Sequence, residues 1–371
     1  MNIHMGKNVN FYKKKKKGKF KSSTLHVYLL LIIILCSVIL SITIFQLNKK
    51  LSLNLDNTMT AYIAIIGSLP TVYLWIVKER KKEEELKNKQ QEINQIKVSE
   101  LNKVYVDAVN QFYNEKTFIA GAYALLALVD DWINMSKEYG EKAKDYYPRV
   151  SQISSILFSK QKENCNDDLF NSIIIELLNK IVQLDKNIDS FSFNWSKVSL
   201  KNLKLYNFDF RNSQLNGIKI VDSEFINVKM TNISFENATL TNNDFAFEHL
   251  DDANLKGTNF SNSIFIGSNL KRATLTSANL FQADLEHAEL NDADLIGSDL
   301  SSAVLNGAKL INADLSYAKL SYANFEGADL SYAKLSHAKL KDADLSHAKL
   351  KDAVLSHTEL EGTDLNENKL K

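Results

Sequence analysis

Residues Ala273 to Gly297 read ATLTSANLFQADLEHAELNDADLIG. A leucine stands at Leu275, Leu280, Leu285, Leu290 and Leu295, and two places before each stands an alanine. A period of five matches neither the α-helix, at about 3.6 residues per turn, nor the extended strand, at about two. The chain must change direction once per unit, and the two recurring apolar positions must face one interior.

The register extends in both directions. Working back, the large apolar residue falls at Leu250, Phe245, Leu240, Phe235, Met230, Phe225, Ile220, Leu215, Phe210, Leu205 and Leu200, and working forward it continues to Leu365. About 34 consecutive units result, a repeat array rather than a chance pattern. From Ala253 onward the position two places earlier is always small; before Ala238 it holds Val198, Leu203, Phe208, Ile218, Val228 and Ile233. Between the two apolar positions recur Asn254, Asn279, Asp284 and Asp314, short polar side chains that bond nearby backbone at turns. Glycine recurs two places after the large residue, at Gly217, Gly257, Gly267, Gly297, Gly307 and Gly327, as suits a turn.

Runs such as ANLFQ, ADLEH, ADLIG, ADLSY and ANFEG resemble the pentapeptide-repeat family. The resemblance implies an all-β solenoid, the right-handed quadrilateral pentapeptide-repeat β-helix, with four repeats to a coil and roughly eight to nine coils. At about 4.8 Å between coils the rod would be roughly 40 Å long. Ahead of it, VDAVNQFYNEKTFIAGAYALLALVDD, with Gly121, Ala122, Tyr123, Ala124 and Leu125 at its centre, resembles the helical region that precedes the repeats in membrane-anchored bacterial members.

The N-terminal part reads differently. From Leu25 to Leu47 the chain is almost wholly apolar, about the 20 residues that cross a bilayer, and longer than a signal-peptide core. A second run, Met59 to Val77, ends in Tyr73 and Trp75, rings that favour the headgroup level. Lys13 to Lys17, Lys19 and Lys21 precede the first span, whereas Lys49 and Lys50 alone stand in the connecting loop, so both chain ends are expected on the cytoplasmic side. A nucleic-acid role for the basic run is less expected than attraction to anionic lipid. Ala64 and Ser68 form one small-xxx-small pair.

The expected organisation is a basic cytoplasmic tail (1–23), a transmembrane helix (24–47), an external loop (48–58), a second transmembrane helix (59–77), a charged helical stalk (78–103), a helical domain with an N-terminal cap (104–189) and the β-helix (190–371). The apolar helical pattern from Leu169 to Leu184 is the candidate cap, since a solenoid's open end needs covering.

Lys plus Arg number 45 and Asp plus Glu 44, with the basic residues crowded toward the N-terminus. Two cysteines, Cys36 and Cys165, give no disulfide framework and suit a reducing compartment. No phosphate-binding glycine loop, nucleophile motif or Cys/His metal spacing appears, and Asp284, Asp294 and Asp299 read as turn residues rather than general acids. Catalytic residues, cofactors and metal ligands are therefore not expected. His337 and His357 are one four-repeat coil apart and should stack on one face beside Tyr317, as decoration far more readily than as a two-ligand metal site.

The function expected is a non-enzymatic, membrane-anchored scaffold whose rigid faces bind a protein partner. The alternative, an activity known for some pentapeptide-repeat proteins, is modulation of a type II topoisomerase by DNA mimicry. Residues 191–371 carry about 24 acidic and about 18 basic side chains, and Lys309, Lys319, Lys334, Lys339 and Lys349 are expected to interrupt any negative stripe. Expected contacts are therefore the lipid bilayer, an unidentified protein and a second copy paired through the C-terminal end, with no nucleic acid.

Overall fold

A computed structural model of the chain describes residues 56–138 and 145–365 and parts of 31–50, with side chains described from residue 70 within the first range. The chain divides into two compact units, Met1–Glu100 and Leu101–Lys371.

In the first unit, residues 31–36, 38–40, 42–43 and 46–47 are helical, and helix α1 (Asp56–Phe112) begins and runs to the end of the unit. Leu31, Leu35, Ile39, Leu47, Val72, Leu74 and Trp75 are exposed. Much of the first expected span and the side chains of the second before Pro70, those of Ala64 and Ser68 among them, fall outside the description.

The second unit opens with the end of α1 and continues through α2 (Phe118–Glu138), α3 (Tyr147–Gln161) and α4 (Asp168–Asn187). Among the described residues, Phe118–Lys137 is the one helix long and apolar enough to cross a membrane. Half of it is buried, because Leu125, Leu128, Val129 and Trp132 pack in the helical core with Val150 and Ile153 of α3 and Ile174 and Leu178 of α4. Gly121 is required there: a Cβ would stand inside the backbone of Phe112. Asp167 caps α4 by accepting from the Phe170 N–H at 2.9 Å. Lys180 on α4 reaches Asp130 on α2 at 2.9 Å.

Strands β1 (Ser199–Lys201) and β2 (Lys204–Tyr206) pair in parallel with β3 (Lys219–Val221) and β4 (Glu224–Ile226). Every later contact repeats this offset of twenty residues, from Asp209↔Lys229 to Lys339↔Glu359. Four five-residue units thus close one coil, and about eight coils stack. Val198, Leu203, Ile218, Val228 and Ile233 are buried in the first coils just as Ala273, Ala283 and Ala308 are later. Large side chains take the small position without breaking the ladder.

The helices meet the first coil through amides. Gln161 on α3 accepts from the Lys201 N–H at 2.8 Å and donates to the Lys201 carbonyl at 2.6 Å, the two bonds that a neighbouring strand would make. Gln183 on α4 donates to the Asp209 carbonyl at 3.0 Å. Asp185 fixes the entry segment, accepting from the Phe193 N–H and the Trp195 indole N–H at 3.0 and 2.8 Å.

Candidate interaction surface

One unit shows how the repeat is satisfied. Ala253 donates to the Leu250 carbonyl across the turn at 3.2 Å; Asn254 donates to Ile233 in the preceding coil at 2.8 Å; Leu255 and Gly257 donate to Thr274 and Thr276 in the following coil at 2.8 and 3.0 Å. The fifth donor, the Lys256 N–H, bonds the Asn254 side chain at 3.3 Å. Every N–H is then paired, which a buried coil requires. The same local bond joins Asp284 to the Glu286 N–H, Asp294 to Ile296, Asp299 to Ser301 and Asp314 to Ser316. These carboxylates are structural. Burial pushes the Asp299 carboxyl up, but the Ser301 hydrogen bonds and Lys319 outweigh it and hold the group below its ordinary range, the opposite of a general acid.

The second residue after each large apolar side chain has positive φ throughout, from Asn202 at 55° to Gly362 at 74°. Glycine, asparagine and aspartate enter this left-handed region most easily. Phe247, Tyr317, Tyr322, Tyr332, His287, His337 and His357 nevertheless occupy it, and the corners therefore carry rings. Phe247 is 74 % exposed, Tyr322 62 %, Tyr317 61 % and Tyr332 47 %. Tyr317, His337 and His357 stack along one corner with centroids 4.8 and 4.9 Å apart and planes within 16°. Stacked imidazoles direct their in-plane lone pairs side by side instead of converging on one ion. Among the described residues no group of three or more His, Cys, Asp or Glu could hold a metal.

The interior has a polar seam that a five-residue pattern does not foretell. Ser223 accepts from the Leu203 N–H at 3.0 Å, Asn243 from the Ser223 N–H at 2.9 Å and Ser263 from the Asn243 N–H at 3.2 Å. Beside it Glu248 occupies a small-residue position, 4 % exposed, and accepts from the Val228 N–H at 2.7 Å. Burial pushes its carboxyl up.

The four sides differ in charge. Lys319 and Lys339 share one ladder, Lys309 and Lys349 another, and Lys334 a third. Each is matched by an acid one coil away: Lys309 to Glu289 at 2.9 Å, Lys319 to Asp299 at 3.2 Å, Lys334 to Asp314 at 3.3 Å, Lys349 to Asp329 at 3.4 Å and Lys339 to Glu359 at 3.7 Å. The fourth ladder runs Lys204, Glu224, Asp244, Ile264, Asp284, Val304, Asn324, Asp344. None of the five lysines expected to break a negative stripe lies on it, which corrects that expectation. The signal was present in the sequence: binning charges by the twenty-residue coil separates the sides, whereas counting them along the chain mixes all four.

The chain matches the family described as pentapeptide repeats over residues 249–280, 278–316, 308–346 and 328–367. With the five-residue register and its twenty-residue coil, this decides the family. The chain is a pentapeptide-repeat protein. No curated protein matches it. Among solved pentapeptide-repeat structures it is similar to HetL, involved in heterocyst differentiation regulation in Nostoc sp. strain PCC 7120, with 26 % identity, 46 % of this chain and 90 % of that one covered, and a TM-score of 0.21. A pentapeptide repeat protein from the cyanobacterium Cyanothece 51142 gives 31 % identity, 28 % and 88 % coverage and 0.18. QnrB1, a plasmid-mediated fluoroquinolone resistance protein, gives 18 %, 45 % and 93 %, and 0.24. Pentapeptide-repeat proteins are generally non-catalytic structural or interaction proteins.

Proposed function

We propose that this pentapeptide-repeat protein is a membrane-anchored scaffold that binds a protein partner at the cytoplasmic face. The observation that carries the binding role is the set of rings on the later corners, Tyr317, Tyr322 and Tyr332, each about half exposed or more on a backbone whose hydrogen bonds are already made. Aromatic side chains on a pre-organised surface supply contact area with little entropy left to lose. Anchoring is supported by exposed apolar residues such as Leu35, Ile39 and Trp75 and by the lysines from Lys13 to Lys21.

Proximity labelling in the native host, from a tag after Lys371, tests this reading. A protein enriched by the full chain and lost when residues 1–77 are removed is the expected result; labelling unchanged by that deletion would remove the anchored scaffold.

The topoisomerase reading gains one observation, the ladder from Asp244 to Asp344 that carries no lysine. It predicts that the purified protein inhibits or protects a type II topoisomerase in a supercoiling assay, and an inert protein there would exclude it.

A further inference from the structure

We infer that the side of the solenoid built on Lys204–Tyr206 and its register mates is a docking surface for a basic, amphipathic α-helix of a protein partner. The inference rests on the scaffold reading and names the chemistry of the client.

The surface is carried first by apolar residues that cover nothing. Tyr206 and Ile226 stand opposite each other in register and are exposed. Ile264 and Val304 lie farther along the same side, both exposed, and Phe247 projects from its corner. The corresponding outward positions of the other three sides are largely polar, with Phe281, Ile296 and Val354 exposed singly. Scattered apolar residues need no explanation, whereas a run along one side marks an interaction site.

Charge then selects the occupant. Beyond the Lys204–Glu224 pair at 3.1 Å, the outward positions of this side up to Ser346 hold Asp244, Asp284, Glu286, Glu326 and Asp344 and no lysine or arginine. Among the described residues none of these acids has a lysine or arginine partner, while acids on the other sides do: Glu289 with Lys309, Asp299 with Lys319, Asp314 with Lys334. A surface that pairs lysines with acids on its other sides and leaves this one acidic, without such pairs beyond the first two coils, and partly apolar is complementary to a cationic, partly apolar partner.

Spacing selects the helix. Coils recur about every 4.8 Å, and a helix advances about 5.4 Å per turn, so a helix lying along the rod offers nearly one side chain per coil. Same-side residues of an extended strand recur roughly 6.6 Å apart and fall out of step within two coils. Apolar residues of the helix would meet Phe247, Ile264 and Val304, and its lysines or arginines would meet Asp284, Glu286, Glu326 and Asp344.

The test uses the full chain in zwitterionic-lipid nanodiscs and a fluorescent, helical leucine–lysine peptide, read by anisotropy with empty nanodiscs subtracted. Two variants are decisive: Glu286→Lys with Glu326→Lys on this side, and Glu236→Lys with Glu359→Lys, an equal change of net charge on others. We expect the first to weaken binding at least tenfold and the second less than threefold, with Phe247→Ala also weakening it and circular dichroism unchanged in each. No saturable binding, or equal loss in both charge variants, would overturn the inference. Proximity labelling can still return an anchored partner in that case, so failure here is distinct from failure of the scaffold itself.

Discussion

The ring of Phe247 lies over Gly267, one coil further along the same corner, so that a Cβ on Gly267 would stand 2.7 Å from the ring. Both residues have positive φ, 60° and 63°. Gly327, at a later coil of that corner, has φ of 66° and nothing within 4 Å of its Cβ position. Gly327→Ala should therefore cost only the left-handed backbone term, about 1–2 kcal/mol. Gly267→Ala should cost more, and Phe247→Ala in that background should recover most of the excess. Urea unfolding of the four proteins checks this, and equal losses for the two alanine substitutions would disprove the ring contact.

Ala308 sits in the interior with no exposed surface, between Leu305 and Leu310. Ala308→Leu should overpack the coil and cost about 1–3 kcal/mol, or more if the ladder cannot shift. Ile218 occupies the same position of the five-residue unit, on another side of an early coil, and is equally buried. Ile218→Ala should cost about 2–5 kcal/mol through the cavity it leaves. Opposite substitutions at equivalent positions both destabilise, which thermal melts can read directly.

Glu248 makes stability depend on pH in an unusual direction. Burial raises its carboxyl, so the folded chain keeps a proton that the unfolded chain has released. The resulting stabilisation is present below the unfolded pKa and is lost as pH rises through the folded one. Glu248→Gln removes that slope. The melting temperature of the variant should gain on the parent as pH rises above about 4; parallel curves would show that the group does not titrate there.

Asp299, Asp314 and Asp329 act oppositely. Burial pushes each carboxyl up, but serine hydrogen bonds and the lysine one coil on outweigh it and leave each below its ordinary range. Their contribution is present above the unfolded pKa and is lost as pH falls through the folded one. Changing all three to asparagine should flatten the acid side of the stability profile below about pH 4 while leaving the neutral side nearly parallel.

Because half of Phe118–Lys137 is buried against its own helical neighbours, a chain beginning at Leu101 should stay folded and disperse without detergent. Sedimentation and circular dichroism of residues 101–371 test this. Aggregation relieved only by detergent would make that helix a membrane segment after all.

The repeat was legible because its signal is redundant: a wrong residue at Glu248 or Phe208 is outvoted by dozens of leucines in phase. The stack of Tyr317, His337 and His357 was legible too, since a twenty-residue coil places them in line. The seam of Ser223, Asn243 and Ser263 was not. Serine suits a small interior position and an exposed turn equally well, and only the contact with the preceding coil shows which donors it satisfies. Gly121 reads as one small residue among alanines, and the backbone of Phe112 against it is a tertiary fact.

Five-residue periodicity by itself determined that this chain coils, which residues face inward and which corners carry rings, because a strictly periodic backbone repeats one local solution. The lysines could not be placed by counting alone. Whether Lys319 breaks an acidic stripe or neutralises Asp299 depends on which side of the coil it occupies, a matter of contacts twenty residues apart. The tertiary structure decided that Lys309, Lys319 and Lys334 meet acids one coil away on the other sides, and that Asp284, Glu286 and Glu326 meet no lysine or arginine on theirs, since electrostatic pairing acts through space and not along the chain.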